Sequence, residues 1–422
     1  MTRAIAHAVL GKLPAPREAT YRHFRDADGA TIDQGLALFF SAPHSFTGED
    51  VLELHAHGAP VVVDLLLKRL LALGARLARP GEFSERAFLN GKIDLAQAEA
   101  VADLISAGSE AAARSALRSL AGEFSKHIRA IVGDLVHLRT YVEAAIDFPE
   151  EEIDFLADQR IAVELAHISR GIEELLAGTQ QGCLLQAGMT LVLAGAPNAG
   201  KSSLLNALAQ EDTAIVSALP GTTRDVVRAR IDIDGLPIHV LDTAGLRDSP
   251  DPIEREGVER ARAAMARADR VLLLIDDTHE EARAIDRLRA QVPTNVAATV
   301  VYNKIDLTGR APGMFVIGSA SAIAISAKNG SGLDALRDHL KACVGYQPAG
   351  EGTFIARRRH LDAIRSAQTH VAQGRRQLAD RHAGELLAEE LRQAQLALAE
   401  ITGEFTSDDL LGEIFSSFCI GK

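Results

Sequence analysis

A largely apolar run, Thr190–Ala194, leads into Gly195-Ala-Pro-Asn-Ala-Gly-Lys-Ser-Ser203, which fits the phosphate-loop pattern G-x-x-x-x-G-K-S/T. That pattern works only on a strand–loop–helix turn, where backbone N–H groups and the helix N-terminus surround a chain of phosphates. It therefore commits this part of the chain to an α/β layer. Alone, the loop fits ATPases and kinases equally well. Four further elements follow in order: Gly221–Asp225 (GTTRD), Asp242–Gly245 (DTAG), Asn303–Asp306 (NKID) and Ser326–Lys328 (SAK). The ordered set predicts a Ras-like P-loop domain that hydrolyses GTP.

Each element has a chemical task. Lys201 sets a cation against the outer phosphates, and Ser202 offers a hydroxyl to magnesium. Thr223 supplies a second hydroxyl ligand when its loop closes on the γ-phosphate. Asp242 ends the predicted strand Pro237–Leu241 and holds the water shell of the metal, while Gly245, after Thr243 and Ala244, turns its N–H toward the γ-phosphate. Asn303, Lys304, Ile305 and Asp306 follow the apolar strand Val296–Tyr302. Asp306 accepts from two adjacent guanine donors that adenine lacks, so adenine leaves a carboxylate unmatched. Ser326, Ala327 and Lys328 bring backbone donors to the base carbonyl.

Two departures from the Ras-like pattern are informative. Leu246 stands where a Ras-like enzyme has the glutamine that orients the attacking water. Leucine has no polar group, so another residue must hold the water, and Asp248, Asp251, Glu254 and Glu256 are near in sequence. The second departure is Asn198 within the phosphate loop. Its carbonyl is a hard oxygen ligand beside the phosphates, suited to a monovalent cation such as potassium that would stabilise developing charge as an arginine finger does. An amide that merely stabilises the loop is the other reading.

The 422-residue length suggests about three domains. A net charge of −12 argues against broad coating of nucleic acid, although a local basic face remains compatible with it. No apolar run approaches the ~20 residues that span a bilayer, and the N-terminus lacks a secretory pattern. Cys183, Cys343 and Cys419 lie far apart and suggest neither a disulfide nor a zinc framework, which fits a reducing cytoplasm.

The flanks differ from the centre. From Leu95 to about Gln180, apolar residues recur at three- and four-residue spacing. The stripe Leu117, Leu120, Phe124, Ile128, Ile131 and Leu135 predicts one helix from Ser109 past Ala145, with another through Ile161–Leu176. Helical character returns at Phe354–Ile401 and in a short helix over Ser407–Phe418. Links at Gly182–Gly188 and Tyr346–Gly352 suggest an α/β unit inserted into a helical domain, three successive domains being the alternative. Residues 1–91 read as a small α+β domain, with strands at Tyr21–Phe24, Gly35–Ser41 and Asp50–Ala56 and a helix over Pro60–Leu73. His55 and His57 read as one strand face without a third metal ligand. The basic cluster Arg357–His360 reads as a solvated helix end or a surface for tRNA or a partner.

Asn198, Gly221–Asp225, the split helical region and the terminal Phe418-Cys-Ile-Gly-Lys422 together resemble the MnmE (TrmE) family of tRNA-modification GTPases. The resemblance extends to Ser45-Phe-Thr-Gly-Glu-Asp-Val-Leu-Glu53, Pro80-Gly-Glu-Phe-Ser-Glu-Arg86, Asp94-Leu-Ala-Gln-Ala-Glu99 and Glu404-Phe-Thr-Ser-Asp-Asp409, and so covers nearly the whole chain. It implies a folate-binding and dimerisation domain at 1–91, a helical domain at 92–184 and 347–422, and the G domain at 185–346. It also implies a homodimer that binds 5-formyl- or 5,10-methylene-tetrahydrofolate as one-carbon donor. With an FAD-dependent partner, MnmG, such proteins place an aminomethyl-type or carboxymethylaminomethyl group on carbon 5 of the tRNA wobble uridine, while potassium and GTP bring two G domains together. By position, Asn198, Ser217, Leu219 and Thr222 would hold potassium, with Ala218, Pro220 and Gly221 lining the nucleotide beside Ala199, Gly200 and Ser203. Ser202 and Thr223 would hold magnesium. Glu254 matches the water-positioning glutamate. Glu53, Lys92 and Lys422 match folate-contacting positions, and Cys419 matches the terminal cysteine, whose alternative reading is an ordinary thiol.

Family members begin with a further stretch carrying a strand and a folate-contacting arginine, whereas this chain joins the pattern near Val9–Pro14. Either the start is misassigned or this form lacks an element of the folate site; if Met1 is the true start, the expectation is weakened folate binding with GTP binding intact. A ribosome-assembly GTPase and a non-hydrolytic switch are the competing functions. The first calls for an RNA-binding appendage, and no KH-type loop follows Cys343. The second leaves Asn198 and Glu254 without a role.

Overall fold

The computed structural model describes residues 1–147, 159–211, 227–242, 263–279, 282–317, 320–347, 353–381, 383–404, 408–416 and 418. They fall into two compact units.

The first unit comprises Met1–Ala102, Leu120–Val132 and Gln395–Lys422. Helix α1 (Thr2–Leu10) buries Ile5, Ala6, Val9 and Leu10, a one-face spacing, and stops at Gly11. Strands β1 (Thr20–Arg25), β2 (Thr31–Phe40) and β3 (Val51–His55) form an antiparallel sheet in that order. Asp26 Oδ1 shapes the β1–β2 turn by accepting from the Asp28 and Ala30 N–H groups at 2.9 Å each. Phe24 and Ala37 meet α1 and Leu66 of α2 (Pro60–Ala72) in the core. Helices α3 (Glu82–Leu89) and α4 (Leu95–Ser106) follow. A reciprocal cap starts α4: Gln97 N donates to Asp94 Oδ1 at 2.9 Å, and Asp94 N donates to Gln97 Oε1 at 3.0 Å. Leu95 and Ala98 then pack with Ile414, Phe415 and Phe418 of the C-terminal segment.

The second unit comprises Asp103–Ser119 and Gly133–Ala394. It carries α5 (Glu110–Leu120), most of α6 (Glu123–Asp147), and α7 (Gln159–Ala187). The α/β layer follows: β4 (Met189–Gly195), α8 (Lys201–Glu211), β5 (Val227–Ile233), β6 (Leu236–Asp242), β7 (Arg270–Asp276), α9 (Ala282–Gln291), β8 (Ala298–Asn303), α10 (Ile305–Thr308), β9 (Gly313–Ile317), β10 (Ala320–Ala324) and α11 (Leu333–Val344). Two further helices are α12 (Arg358–Arg381) and α13 (Gly384–Thr402), with α12 lying along α7. The sheet order is β5-β6-β4-β7-β8-β10-β9. Its five inner strands are parallel and both edge strands are antiparallel to their neighbours. Alternate residues of the inner strands enter two cores. Leu191, Leu193, Leu272 and Leu274 meet α8 and α11, whereas Val192, Ala194, Val271 and Leu273 meet Met265 and α9. Burial on both faces explains why these strands read as unbroken apolar runs. With the strand–loop–helix β4–α8 at its centre, this is the P-loop α/β architecture expected from the sequence.

Several local expectations need correction. The single helix over Ser109–Ala145 is two helices, because Gly122 adopts φ +86° between α5 and α6. Leu117 consequently leaves the stripe and is 51% exposed, while Phe124, Ile128 and Leu135 are fully buried. Gly182 is not a link, since α7 runs on to Ala187. It is a close approach: a Cβ there would overlap Phe354 O. His57 lies beyond the end of β3 and shares no strand face with His55; its N–H and Nδ1 meet the Asp33 carboxylate at 2.8 and 2.9 Å. The Arg357–His360 cluster is partly internal. Arg357 Nη2 donates to buried Asp103 at 2.9 Å, and His360 is 2% exposed. His360 is therefore no surface residue, and the Arg357 guanidinium is engaged with Asp103. Among the described residues no helix is long and apolar enough to cross a membrane.

Candidate nucleotide-binding site

Three loops gather at the C-terminal ends of parallel strands, where open α/β sheets place their ligands. The first is the phosphate loop between β4 and α8. Its Ala199 N–H bonds to Ala196 O at 3.3 Å, and Gly200 O accepts from Leu204 N at 2.8 Å in the first turn of α8. Lys201 Nζ donates to Gly195 O at 2.8 Å and Ala196 O at 3.0 Å, so its ammonium sits over the mouth of the loop. Ser202 and Ser203 are exposed at the helix start. Asn198 is exposed with φ +65°, a left-handed conformation that asparagine tolerates better than most residues. That φ gives the side chain a backbone reason to be asparagine, besides any role as a cation ligand.

The second loop leaves β8 at Asn303, and the third leaves β10 for Ser326. Asn303 ties all three together. Its buried amide donates from Nδ2 to Ala199 O at 2.9 Å and accepts at Oδ1 from Ala327 N at 2.9 Å. Ser326 Oγ donates to Asp306 Oδ1 at 2.6 Å, fixing the carboxylate expected to read guanine. Asp306 remains exposed, with room for further donors. Lys304 adopts φ +70° at the start of α10, and its Nζ donates to Asp276 Oδ2 at 2.6 Å.

Asp276 and Asp277 are the site residues that motif reasoning missed. Asp276 ends β7 and lies opposite Asn303 across the β7–β8 pairing. Burial pushes its carboxyl up, but Lys304 and the Thr278 hydroxyl and N–H outweigh this and hold it down at about 2. Asp277 accepts from Thr308 Oγ1 and, at 2.9 Å, from Arg310 Nε. The Arg310 guanidinium lies over the Tyr302 and Phe315 rings at 4.8 and 5.2 Å. The signal available in sequence was an acidic pair closing an apolar strand, β7, which lies beside the strand that carries the phosphate loop.

The structure thus brings together Asn198, Ala199, Gly200, Lys201, Ser202, Asn303, Lys304, Asp306, Ser326 and Ala327. For Asp242 it places the backbone at the end of β6. Ser217–Thr223, Thr243–Gly245 and Glu254 lie outside the described residues, as do Cys419 and Lys422. In the first unit, Glu53 pairs with Leu38 in the sheet and its Oε2 lies 3.3 Å from His55 Nε2. Lys92 Nζ donates to Pro43 O at 3.0 Å. Among the described contacts none joins Glu53 to Lys92.

Comparison with known proteins covers almost all of this chain. Residues 2–92 match the GTP-binding protein TrmE N-terminus model, and residues 95–419 match the MnmE helical domain model. A tRNA modification GTPase MnmE from Yersinia pseudotuberculosis is 59% identical over 99% of this chain and 93% of its own length. Its counterpart from Pectobacterium atrosepticum is 58% identical over the same shares. Among solved structures, an Aquifex aeolicus Era variant bound to GDP and AlF4− is 26% identical, covering 43% of this chain and 66% of that one, with a TM-score of 0.29. The chain belongs to the MnmE (TrmE) family of tRNA modification GTPases.

Proposed function

We propose that this GTPase of tRNA modification acts with MnmG on the wobble uridine of tRNA, adding an aminomethyl or carboxymethylaminomethyl group at carbon 5. The one-carbon unit comes from 5-formyl- or 5,10-methylene-tetrahydrofolate, and potassium-dependent pairing of two G domains drives the cycle. The observation that carries the reading is the 59% identity over 99% of the chain to a tRNA modification GTPase, joined to a guanine site assembled through Asn303. Domain bounds of 1–91, 92–184, 185–346 and 347–422 go with it, and a cytoplasmic location suits its free Cys183 and Cys343. A homodimer is supported by the aliphatic face of α2, where Val61, Leu65 and Leu71 are exposed.

Within the site the residues divide the work. Lys201 at the loop mouth binds the outer phosphates, and Asp306, oriented by Ser326, selects guanine. The exposed Ser202 hydroxyl fits magnesium, which supplies charge neutralisation between phosphates when bound. The exposed Asn198 amide fits potassium, which supplies positive charge to the transferring phosphoryl. Glu254 positions the attacking water in place of Leu246. Glu53, Lys92 and Lys422 bind the folate, and Cys419 serves the modification step.

Mass spectrometry of bulk tRNA tests the reading. A strain lacking this gene should lose the wobble-uridine modification and regain it with the wild-type chain but not with Asp306→Asn. Unchanged tRNA in the deletion strain overturns the assignment.

A further inference from the structure

We propose that Asp276 is a positioning residue for guanine recognition: it holds the Lys304 ammonium and so keeps that cation off the base-reading carboxylate of Asp306. Three observations carry this. The first is register. Asp276 and Asn303 are opposite one another on neighbouring parallel strands, so the carboxylate emerges beside the first residue of the guanine loop. The second is saturation of the carboxylate. Oδ2 takes Lys304 Nζ at 2.6 Å, while Oδ1 takes Thr278 N at 3.1 Å and Thr278 Oγ1 at 2.7 Å. The third is the spacing of Lys304 and Asp306, two residues apart at the head of a helix of only four residues. A four-carbon stem released from Asp276 is free to turn toward another anion, and the exposed Asp306 carboxylate stands two residues along the chain.

The neighbouring carboxylate supports the same element from its other end. Asp277 holds Thr308 and Arg310, which close and follow α10. A helix this short has no stability of its own. Its orientation, and with it that of Asp306, depends on these two side chains of β7 and the adjoining turn. Because Asp276 is held near pKa 2, it remains a full negative charge throughout the working pH range.

The inference rests on the guanine-site reading, so the test separates the two. Binding of fluorescent GDP and ADP to the wild-type chain comes first, and a failure to prefer GDP defeats the site reading itself. With that preference present, Asp276→Asn should weaken GDP binding roughly ten- to a hundred-fold, the scale of one charge-assisted contact. The rate at saturating GTP should stay close to wild type, because the effect lies on binding. The decisive comparison pairs Asp276→Asn/Lys304→Met with Lys304→Met alone. Without the ammonium, Asp276 has nothing to restrain, and the two should bind GDP equally. A tenfold difference between them, or full GDP affinity in Asp276→Asn, overturns the proposal. The double variant removes both members of the Asp276–Lys304 ion pair and leaves neither partner behind, so it also serves if Asp276→Asn fails to fold.

Discussion

Asn303 and Ala199 are joined by one hydrogen bond, from Asn303 Nδ2 to Ala199 O at 2.9 Å, which makes the phosphate loop and the guanine loop a single piece. The other end of the same amide takes the Ala327 N–H. Both partners are backbone groups of buried residues, where an unpaired polar group is costly. Asn303→Ala should therefore destabilise the fold by about 2–6 kcal/mol, from two unsatisfied groups at about 1–3 kcal/mol each. It should also weaken GDP binding, because the loops lose their common register. Urea unfolding and GDP titration measure the two effects. A variant as stable as wild type would show that the bridge contributes nothing.

A second prediction concerns packing far from the nucleotide. Gly182 lets the chain at Phe354–Ala356 lie directly on α7, with Ala356 N also within 3.0 Å of where a Cβ would stand. Ordinary substitution of a helical glycine by alanine stabilises by about 1 kcal/mol. Here the obstacle is backbone on a neighbouring segment, so Gly182→Ala should instead cost about 1–3 kcal/mol, the scale of overpacking. Thermal unfolding decides the sign. Stabilisation would mean that the segment moves aside without loss.

These cases show which parts of the molecule were legible in the sequence. The phosphate loop, NKID and SAK were readable because each is a contiguous motif that follows its own apolar strand. The inner strands were readable because burial on both faces leaves no polar alternation to interpret. Asp276 was not, because its meaning depends on Lys304, which follows the neighbouring strand β8 at the start of α10. Arg357 reads as surface in sequence because Asp103, its partner, is 254 residues away. Gly182 reads as a link for the same reason, since only the fold brings Phe354 against it. The break at Gly122 was hidden by an apolar stripe that continues at helical spacing through the turn. Sequence reveals chemistry that is local and misses contacts made by topology.

The Pro80–Arg86 segment gives a pH prediction. Glu82 is nearly buried, and its carboxyl is held down at about 2, first by the Arg76 guanidinium and then by the Arg79 N–H, against the upward push of burial. A carboxylate whose folded pKa lies below its unfolded value adds stability above the unfolded value. That stability is lost as pH falls from about 4.5 toward 2. Glu82→Gln should therefore be less stable than wild type at neutral pH, and the gap should narrow across that acid range. Melting temperatures of both chains between neutral pH and pH 3 test this. A gap independent of pH would assign the loss to packing rather than charge.

Hydrolysis gives the last prediction, which separates the roles of Glu254, Asp306 and Asn198. In the proposed mechanism Glu254 touches only the attacking water, so Glu254→Ala should slow turnover while GTP affinity stays nearly unchanged. Asp306→Asn should do the reverse, weakening guanine binding and favouring xanthine nucleotides, whose ring presents an acceptor where guanine has a donor. The described structure bears on the second variant directly, since the Ser326 hydroxyl that now donates to Asp306 can equally meet the new amide oxygen. Turnover of the wild-type chain should depend on potassium and rise with protein concentration, with the cation contributing up to roughly the 10³–10⁵ of an arginine finger. Asn198→Ala should reduce the difference between potassium and sodium buffers. Its left-handed φ of +65° would cost alanine some stability, so the comparison is made between salts on the same variant rather than between variants. Equal rates in sodium and potassium for the wild-type chain, at every protein concentration, would remove the cation from the mechanism and leave Asn198 as a residue of the turn.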